Sequence, residues 1–324
     1  MTFLICGLGS IGKRHLRILK GLGRHKFIAL RSGNSKADSS EKADEEITNL
    51  KDISGYKIDG ALITNPTSLH ITTAIEIAKY GIPLFIEKPL SKNLVNIIEL
   101  KNLVAEKKFP VLLGYNLIYH PGIQSIKKCI SEKKIGKVVS ARAQFGTYMP
   151  DWHKNEDYKK SYAANASMGG GVVLTSIHEQ NYLTEMFGKV TDVKAMELGG
   201  SSIGIEVEEG IEILMKHSSG VVSNIHLNFF QKPYYRNCEV IGTEGTIYWD
   251  FMKPEIKILF KDKTEVIKLG KGPIELLDES YSNQMKHFID VIEKKDEPKI
   301  SLIKGIEDME VALKILKEIG RNYN

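Results

Sequence analysis

Lys88 and His178 carry side chains able to move or hold a proton beside a reacting carbon. Lys88 follows the apolar run Phe85-Ile86 in Phe85-Ile86-Glu87-Lys88-Pro89, and so reads as delivered to the carboxyl end of a buried strand, the edge at which open parallel sheets bind ligands. An ammonium there either exchanges a proton, which needs its pKa lowered from about 10.4 by desolvation or neighbouring charge, or stays charged and orients an oxygen. Ending the strand in a pair with Glu87 is the structural alternative. His178 follows Gly169-Gly170-Gly171, and its ordinary pKa of about 6.5 suits a proton shuttle with little adjustment; a lone histidine on a helix is more often structural, which is the alternative. A helix after Gly171 would put Thr175, His178, Asn181 and Tyr182 on one broad side and turn Val173, Ile177 and Leu183 to the core.

These groups need something to react with, and the first residues supply a candidate. Phe3 to Cys6 reads as a strand buried on both faces, followed by Gly7-Leu8-Gly9-Ser10-Ile11-Gly12 and a helix with Ile11, Ile18, Leu19 and Leu22 on one face. Gly7, Gly9 and Gly12 suit a tight turn, a close backbone approach and a strand–helix contact, with free N–H groups near Ser10 offered to a pyrophosphate. The bland alternative is a tight strand–helix corner. The second strand, residues 27–30, ends in Arg31-Ser32, where NAD-binding chains usually carry an acid for the ribose hydroxyls. A guanidinium grips a 2′-phosphate that a carboxylate would repel. Arg31 and Ser32 therefore favour NADP(H) over NAD(H), the alternative being a solvated surface arginine.

The elements that must carry these residues alternate in the first third. Residues 59–64 read as a strand, 68–80 as a helix, 83–86 as a strand, 90–108 as a helix and 111–113 as a strand, which is a doubly wound parallel sheet of the Rossmann kind. Residues 35–46 are polar and read as a surface loop or frayed helix. Beyond about residue 120 a helix over 123–130 leads to strand-like runs at 138–145, 192–197, 210–215, 221–227, 238–241, 246–249 and 256–259. Their short turns predict an α+β domain with a large, open-faced, mostly antiparallel sheet. Helices are expected over 281–293 and 302–319. The domain limits implied are 1–119 for the nucleotide and 120–324 for substrate and oligomer contacts.

A chain of 324 residues with 42% apolar composition supports two cores. The charge of +5 comes from 45 basic and 40 acidic residues spread along the chain, with no basic stripe to suggest nucleic acid. Cys6, Cys129 and Cys238 are too few and too dispersed for a disulfide frame or a zinc cluster. No bound metal is expected. No apolar run approaches the ~20 residues of a membrane span and the first strand starts at the N-terminus, so a cytoplasmic protein without membrane contact is expected.

The string Gly7–Gly12, then Thr64-Asn65-Pro66-Thr67-Ser68-Leu69-His70, then Glu87-Lys88-Pro89 resembles the glucose-fructose oxidoreductase / inositol dehydrogenase / rhizopine-catabolism (Gfo/Idh/MocA) family of NAD(P)-dependent oxidoreductases. Gly114-Tyr115-Asn116, Asp151-Trp152-His153 and Gly169-Gly170-Gly171 with Ile177-His178-Glu179 continue the resemblance over nearly the whole chain. It implies a nicotinamide on the first domain that faces the open sheet of the second. Lys88 would then lie beside nicotinamide and substrate hydroxyl, Glu87, Asn65, Pro66 and His70 near the cofactor, and Tyr115 and Asn116 near the substrate or in a hydrogen-bonding pair between domains. Trp152, His153, Tyr162 and Arg236 offer faces and charge for a sugar, amino sugar or nucleotide-sugar, and tyrosines would serve a dimer interface equally. The sheet's exposed face is the expected surface of a homodimer or homotetramer.

The sequence departs from the family at Thr175 and Asn181, where many members have carboxylates that neither residue replaces as a proton carrier. Lys88 and His178 alone, Glu179, or a substrate carboxylate would have to suffice. Besides hydride transfer to or from a ring hydroxyl, two other activities fit: a lyase or hydrolase using a tightly held nicotinamide for transient oxidation, and a non-catalytic sugar or dinucleotide sensor.

Overall fold

Phe3, Leu4, Ile5 and Cys6 are all buried, as an apolar run without alternation requires of a strand covered on both faces. They belong to a computed structural model that describes residues 1–31, 41–152, 157–199 and 202–322. The expected roles of Ser32 and His153 lie outside the described residues.

Two compact units divide the chain, residues 1–115 with 281–309 and residues 116–280 with 310–324. In the first, β1 (Thr2–Cys6) leads to α1 (Ser10–Leu22), β2 (Lys26–Leu30), β3 (Glu45–Ile47), β4 (Gly60–Ile63), α2 (His70–Ala78), β5 (Leu84–Glu87), α3 (Ile97–Lys107) and β6 (Val111–Gly114). The strands form one sheet in the order β3-β2-β1-β4-β5-β6, parallel throughout. This is the doubly wound sheet expected of the first third. The helix expected over 90–108 begins only at Ile97. Ser91 Oγ and Asn93 Oδ1 accept the N–H groups of Asn93 and Val95, and Asn96 is left-handed at φ 62°; side chains that satisfy local backbone in this way compete with helix.

In the second unit α4 (Pro121–Ser131) precedes β7 (Val138–Tyr148), the short α5 (Val172–Thr175), α6 (His178–Phe187) and then β8 (Val190–Glu197), β9 (Gly210–His217), β10 (Val222–Asn228), β11 (Phe230–Gly242), β12 (Thr246–Asp250), β13 (Glu255–Leu259) and β14 (Thr264–Lys268). One eight-stranded sheet results, ordered β14-β13-β12-β11-β7-β10-β9-β8 and antiparallel except where β10 runs parallel to β7. Its inner face buries Ala143, Ile225, Ile213, Val240 and Trp249 beneath α4, α5 and α6, which lie on β12 and β13, on β9 and β10, and on β7 and β10 respectively. The outer face is polar: His226 Nδ1 lies 2.5 Å from Glu212 Oε1, and Asn237 donates to Gln144 at 3.2 Å.

Two helices end the chain, α7 (Pro273–Ile292) and α8 (Leu302–Glu318). A boundary at 119/120 gives both to the second domain, whereas residues 281–309 pack with the first unit. Phe288 is the cause. Its ring meets Phe85 at 5.7 Å and Phe3 at 6.4 Å, and Met285 joins the same core. A buried phenylalanine contributes about 2–3 kcal/mol, so the return of α7 to this sheet is favoured by side chains from the far end of the sequence.

Candidate active site

Gly7 and Gly12 are required by sterics. Gly7 sits at φ 101°, and a Cβ there would come within 2.9 Å of the Asn65 backbone; a Cβ on Gly12 would meet Gly7 O at 2.1 Å. Thr64 Oγ1 donates to Gly7 O at 2.7 Å and fixes the turn from the next strand. Gly9 differs, because a Cβ there would find open space. It is the N-cap of α1 and has no side chain to accept the first-turn N–H groups, and that turn carries no acidic residue. Uncapped N–H groups at the positive end of a helix dipole, reached over a glycine, fit a pyrophosphate. The residues present therefore suit a dinucleotide.

The parallel register sets the ends of β1, β4 and β5 along one edge of the sheet, which brings Gly7, Asn65 and Lys88 to the same side. His70 ties two of these loops together. Its Nδ1 lies 2.9 Å from Pro89 O and its Nε2 2.9 Å from Asn65 O. It is 1% exposed, and burial lowers its pKa against the opposing pull of those carbonyls. With both ring nitrogens on main-chain oxygens, His70 shapes the Asn65-Pro66 and Lys88-Pro89 loops through their backbone. Asn65 donates to Thr73 Oγ1 at 2.8 Å. Glu87 is buried, its carboxylate 2.7 Å from His15 Nε2 and 3.0 Å from Lys88 N. Lys88 is half-buried.

Arg31 follows β2, with its N–H donated to Ile47 O and its Nη1 3.0 Å from Glu46 Oε1. The sequence near Arg31 has no acid, but β3 beside β2 brings one. Sheet pairing between segments apart in sequence carried that information, and the three-residue β3 gives no periodic signal.

In the second unit Gly169 and Gly171 take φ 82° and 96°. A Cβ on Gly171 would overlap the Glu208 carboxylate at 2.2 Å, and Glu208, wholly buried, accepts Val173 N–H at 3.1 Å. Glu208 was missed by sequence reasoning, since it lies before β9 and only the fold sets it at this turn. The helix expected to carry Thr175 and His178 together is broken: α5 ends at Thr175, Ser176 leaves helical geometry at φ −108°, ψ 36°, and α6 starts at His178. Thr175, His178, Asn181 and Tyr182 are all buried.

Arg236 on β11 is buried and its Nε lies 2.8 Å from Glu179 Oε1, while its guanidinium stacks 4.4 Å from the Phe145 ring. Burial works against the arginine's charge, but Glu179 outweighs it and holds the guanidinium firmly protonated. An arginine available to a substrate carboxylate or phosphate was expected; here it answers an internal carboxylate. Tyr115 is wholly buried, with burial and Asp308 pushing its hydroxyl well above its usual pKa. Asn116 donates to Ser280 Oγ at 2.9 Å. Trp152 donates to Thr147 Oγ1 at 3.0 Å and meets Phe229 edge-on, and Tyr162 is exposed. Tyr115 and Asp308 belong to the first unit and the other residues of this paragraph to the second.

Comparison with known proteins adds to this geometry. Residues 1–115 match the description "Oxidoreductase family, NAD-binding Rossmann fold" and residues 123–248 the description "GFO/IDH/MocA C-terminal domain". An inositol 2-dehydrogenase of Rhizobium meliloti is 23% identical over 91% of this chain and 89% of its own length. A levoglucosan dehydrogenase of Pseudarthrobacter phenanthrenivorans is 24% identical over 61% of this chain, an alignment that spans just 57% of that relative. A solved structure of levoglucosan dehydrogenase in complex with NADH and levoglucosan shares the fold at TM-score 0.86 and 17% identity, covering 99% of this chain and 97% of that one.

Proposed function

The chain belongs to the GFO/IDH/MocA oxidoreductase family, and we propose that it moves a hydride between a nicotinamide coenzyme and the carbinol or keto carbon of a sugar-like ring. One observation carries this reading: the open glycine turn at Gly9 and the half-buried Lys88 end neighbouring parts of one parallel sheet edge, where such sheets take ligands. Relatives named for inositol and levoglucosan support a cyclic polyol or sugar as the substrate class.

The nicotinamide, when bound, supplies the hydride acceptor or donor. Gly9, Ser10 and Ile11 hold the pyrophosphate on backbone N–H groups. Arg31 meets the 2′-phosphate and so favours NADP(H). Lys88 donates a hydrogen bond from its ammonium to the carbinol oxygen, which lowers that hydroxyl's pKa and keeps it in line. His178 takes the hydroxyl proton on its ring and returns it in the reverse direction. Thr175 and Asn181 supply hydrogen bonds without charge, and Glu179 is committed to Arg236, so Lys88 and His178 carry the proton chemistry between them.

A homo-oligomer built on the outer face of the second sheet fits the exposed Leu214 and Val222 interspersed with its polar pairs. Three buried free cysteines suit a reducing cytoplasm.

Nicotinamide absorbance followed against a panel of cyclitols, anhydrosugars and nucleotide-sugars tests the reading. Coenzyme-dependent turnover that is lost in Lys88→Met and in His178→Ala, with coenzyme still bound, supports it. Coenzyme that copurifies and shows no net change during turnover would instead favour transient oxidation by a lyase or hydrolase.

A further inference from the structure

Glu87 ends β5 with its carboxylate turned into the protein, and the residue is 6% exposed. Three features hold it there. Oε1 lies 2.7 Å from His15 Nε2, and since an ionised carboxylate only accepts, the imidazole is the donor. Oε2 accepts the backbone N–H of Lys88 at 3.0 Å. The space itself exists because residue 114, paired with Glu87 across β5 and β6, is glycine. A Cβ there would lie 2.9 Å from Glu87 Cα and 3.0 Å from both Cδ and Oε2.

His15 is held just as tightly. It is wholly buried on α1, the helix launched by the glycine turn, with its ring edge-on to Phe85 at 5.0 Å and to Tyr281 at 5.9 Å. An imidazole wedged between two aromatic rings keeps its Nε2 on one line. A continuous path therefore runs from the turn at Gly9 through α1 to His15, across one short hydrogen bond to Glu87, and across a second to the main chain of Lys88.

We propose that His15 and Glu87 are positioning residues for Lys88, locking its backbone to the helix that receives the coenzyme phosphates so that coenzyme loop and ammonium keep one spacing. The inference rests on the role given above to Lys88. Its physical basis is the steep dependence of reaction on placement, in which a displacement of about 1 Å costs about 10²-fold. Neither residue need touch substrate or coenzyme, and neither donates a proton to the reaction. Gly114 completes the device by leaving the carboxylate its room.

The test uses the full-length protein with its lysines reductively methylated with ¹³C and the Lys88 signal assigned by its absence in Lys88→Arg. NADPH, with NADH in a parallel series, is the probe, and coenzyme affinity is read separately from bound-coenzyme fluorescence. In the wild type, coenzyme shifts the Lys88 signal. In His15→Leu, affinity stays close to wild type while the Lys88 signal broadens or divides and its shift falls to less than half. His15→Gln, which keeps a donor near the Nε2 position, restores a single shifted signal. Glu87→Gln, of equal volume, provides the same test should His15→Leu fail to fold, with a divided or weakened Lys88 signal expected. A His15→Leu or Glu87→Gln protein whose Lys88 signal responds to coenzyme as the wild type does would overturn the proposal, since a merely structural pair lowers the melting temperature and leaves that response intact. A wild-type Lys88 signal indifferent to both coenzymes would remove the role of Lys88 itself, and the positioning of it falls with that.

Discussion

Arg236 Nε lies 2.8 Å from Glu179 Oε1 with both side chains shut away from solvent, so the carboxylate adjoining His178 in sequence has its charge answered by a guanidinium from β11. Removing one partner leaves the other charged and buried, which costs about 3–5 kcal/mol. Arg236→Met is therefore expected to lower the urea midpoint sharply, and the double variant Arg236→Met/Glu179→Gln to recover much of the loss. An Arg236→Met protein that unfolds with the wild-type midpoint would show the pair to be without consequence.

Arg31, just after β2, and Glu46, in the middle of β3, lie 3.0 Å apart and set the expectation for coenzyme choice. Arg31→Ala should weaken NADPH by about tenfold, the worth of a charge-assisted hydrogen bond, and leave NADH nearly unchanged. Glu46→Gln should act oppositely and raise NADPH affinity by a few fold, since a half-exposed carboxylate beside the guanidinium repels a 2′-phosphate only through screening solvent. Dissociation constants from coenzyme fluorescence check both. NADPH binding indifferent to Arg31→Ala would end the preference for the phosphorylated coenzyme.

His120 is wholly buried at the start of α4, where its Nδ1 accepts Gly122 N–H at 3.0 Å. Burial, then the charge of Arg236, lowers its pKa from the usual 6.5 to about 4, with Glu279 opposing. The folded state thus keeps the ring neutral while the unfolded chain binds a proton, so the stability at stake is whole above about pH 6.5 and drains as pH falls toward 4. The full loss is about 3 kcal/mol. His70, His217 and His287 are lowered by burial too and act in the same direction. Urea midpoints measured between about pH 7 and about pH 4.5 should fall, and less so in His120→Gln. An equal slope in that variant would remove His120 from the effect.

Phe288 packs on Phe3 and Phe85 although it lies near the far end of the chain. Phe288→Ala should cost about 3–5 kcal/mol and weaken coenzyme binding along with stability. Amide exchange should quicken in β1 and β5 before it does in β7 or β11. Faster exchange confined to the second sheet would contradict the packing of α7 on the first unit.

Much of this was legible from residue pattern. The uninterrupted apolar runs at Phe3–Cys6 and Phe85-Ile86, with glycines spaced between strand and helix, announced the parallel sheet because burial on both faces leaves little room for polar residues. The alternating strands of the second half were equally plain. Three things were hidden. Glu46 and Glu208 reach their places through pairing between distant segments, which no local spacing encodes. The edge strand β14 carries Glu265 and Lys268 among its residues and so reads as loop, as edges that avoid further pairing do. The break at Ser176 between α5 and α6 interrupts a stretch through which helical periodicity runs undisturbed. Of the site itself, residue types suggested Lys88 and His178, while the commitments of Arg236 to Glu179 and of His70 to two carbonyls emerged only from the fold.

Transfer of deuterium decides the central matter most directly. A cyclitol or sugar that turns over with the wild-type protein is prepared with deuterium on its carbinol carbon, the coenzyme is reisolated, and its nicotinamide ring is read by NMR. Deuterium should arrive on the ring, and Lys88→Met should slow its arrival by about 10²-fold or more while coenzyme still binds. Turnover with no label on the coenzyme, or label arriving at the wild-type rate in Lys88→Met, would contradict hydride transfer assisted by that lysine.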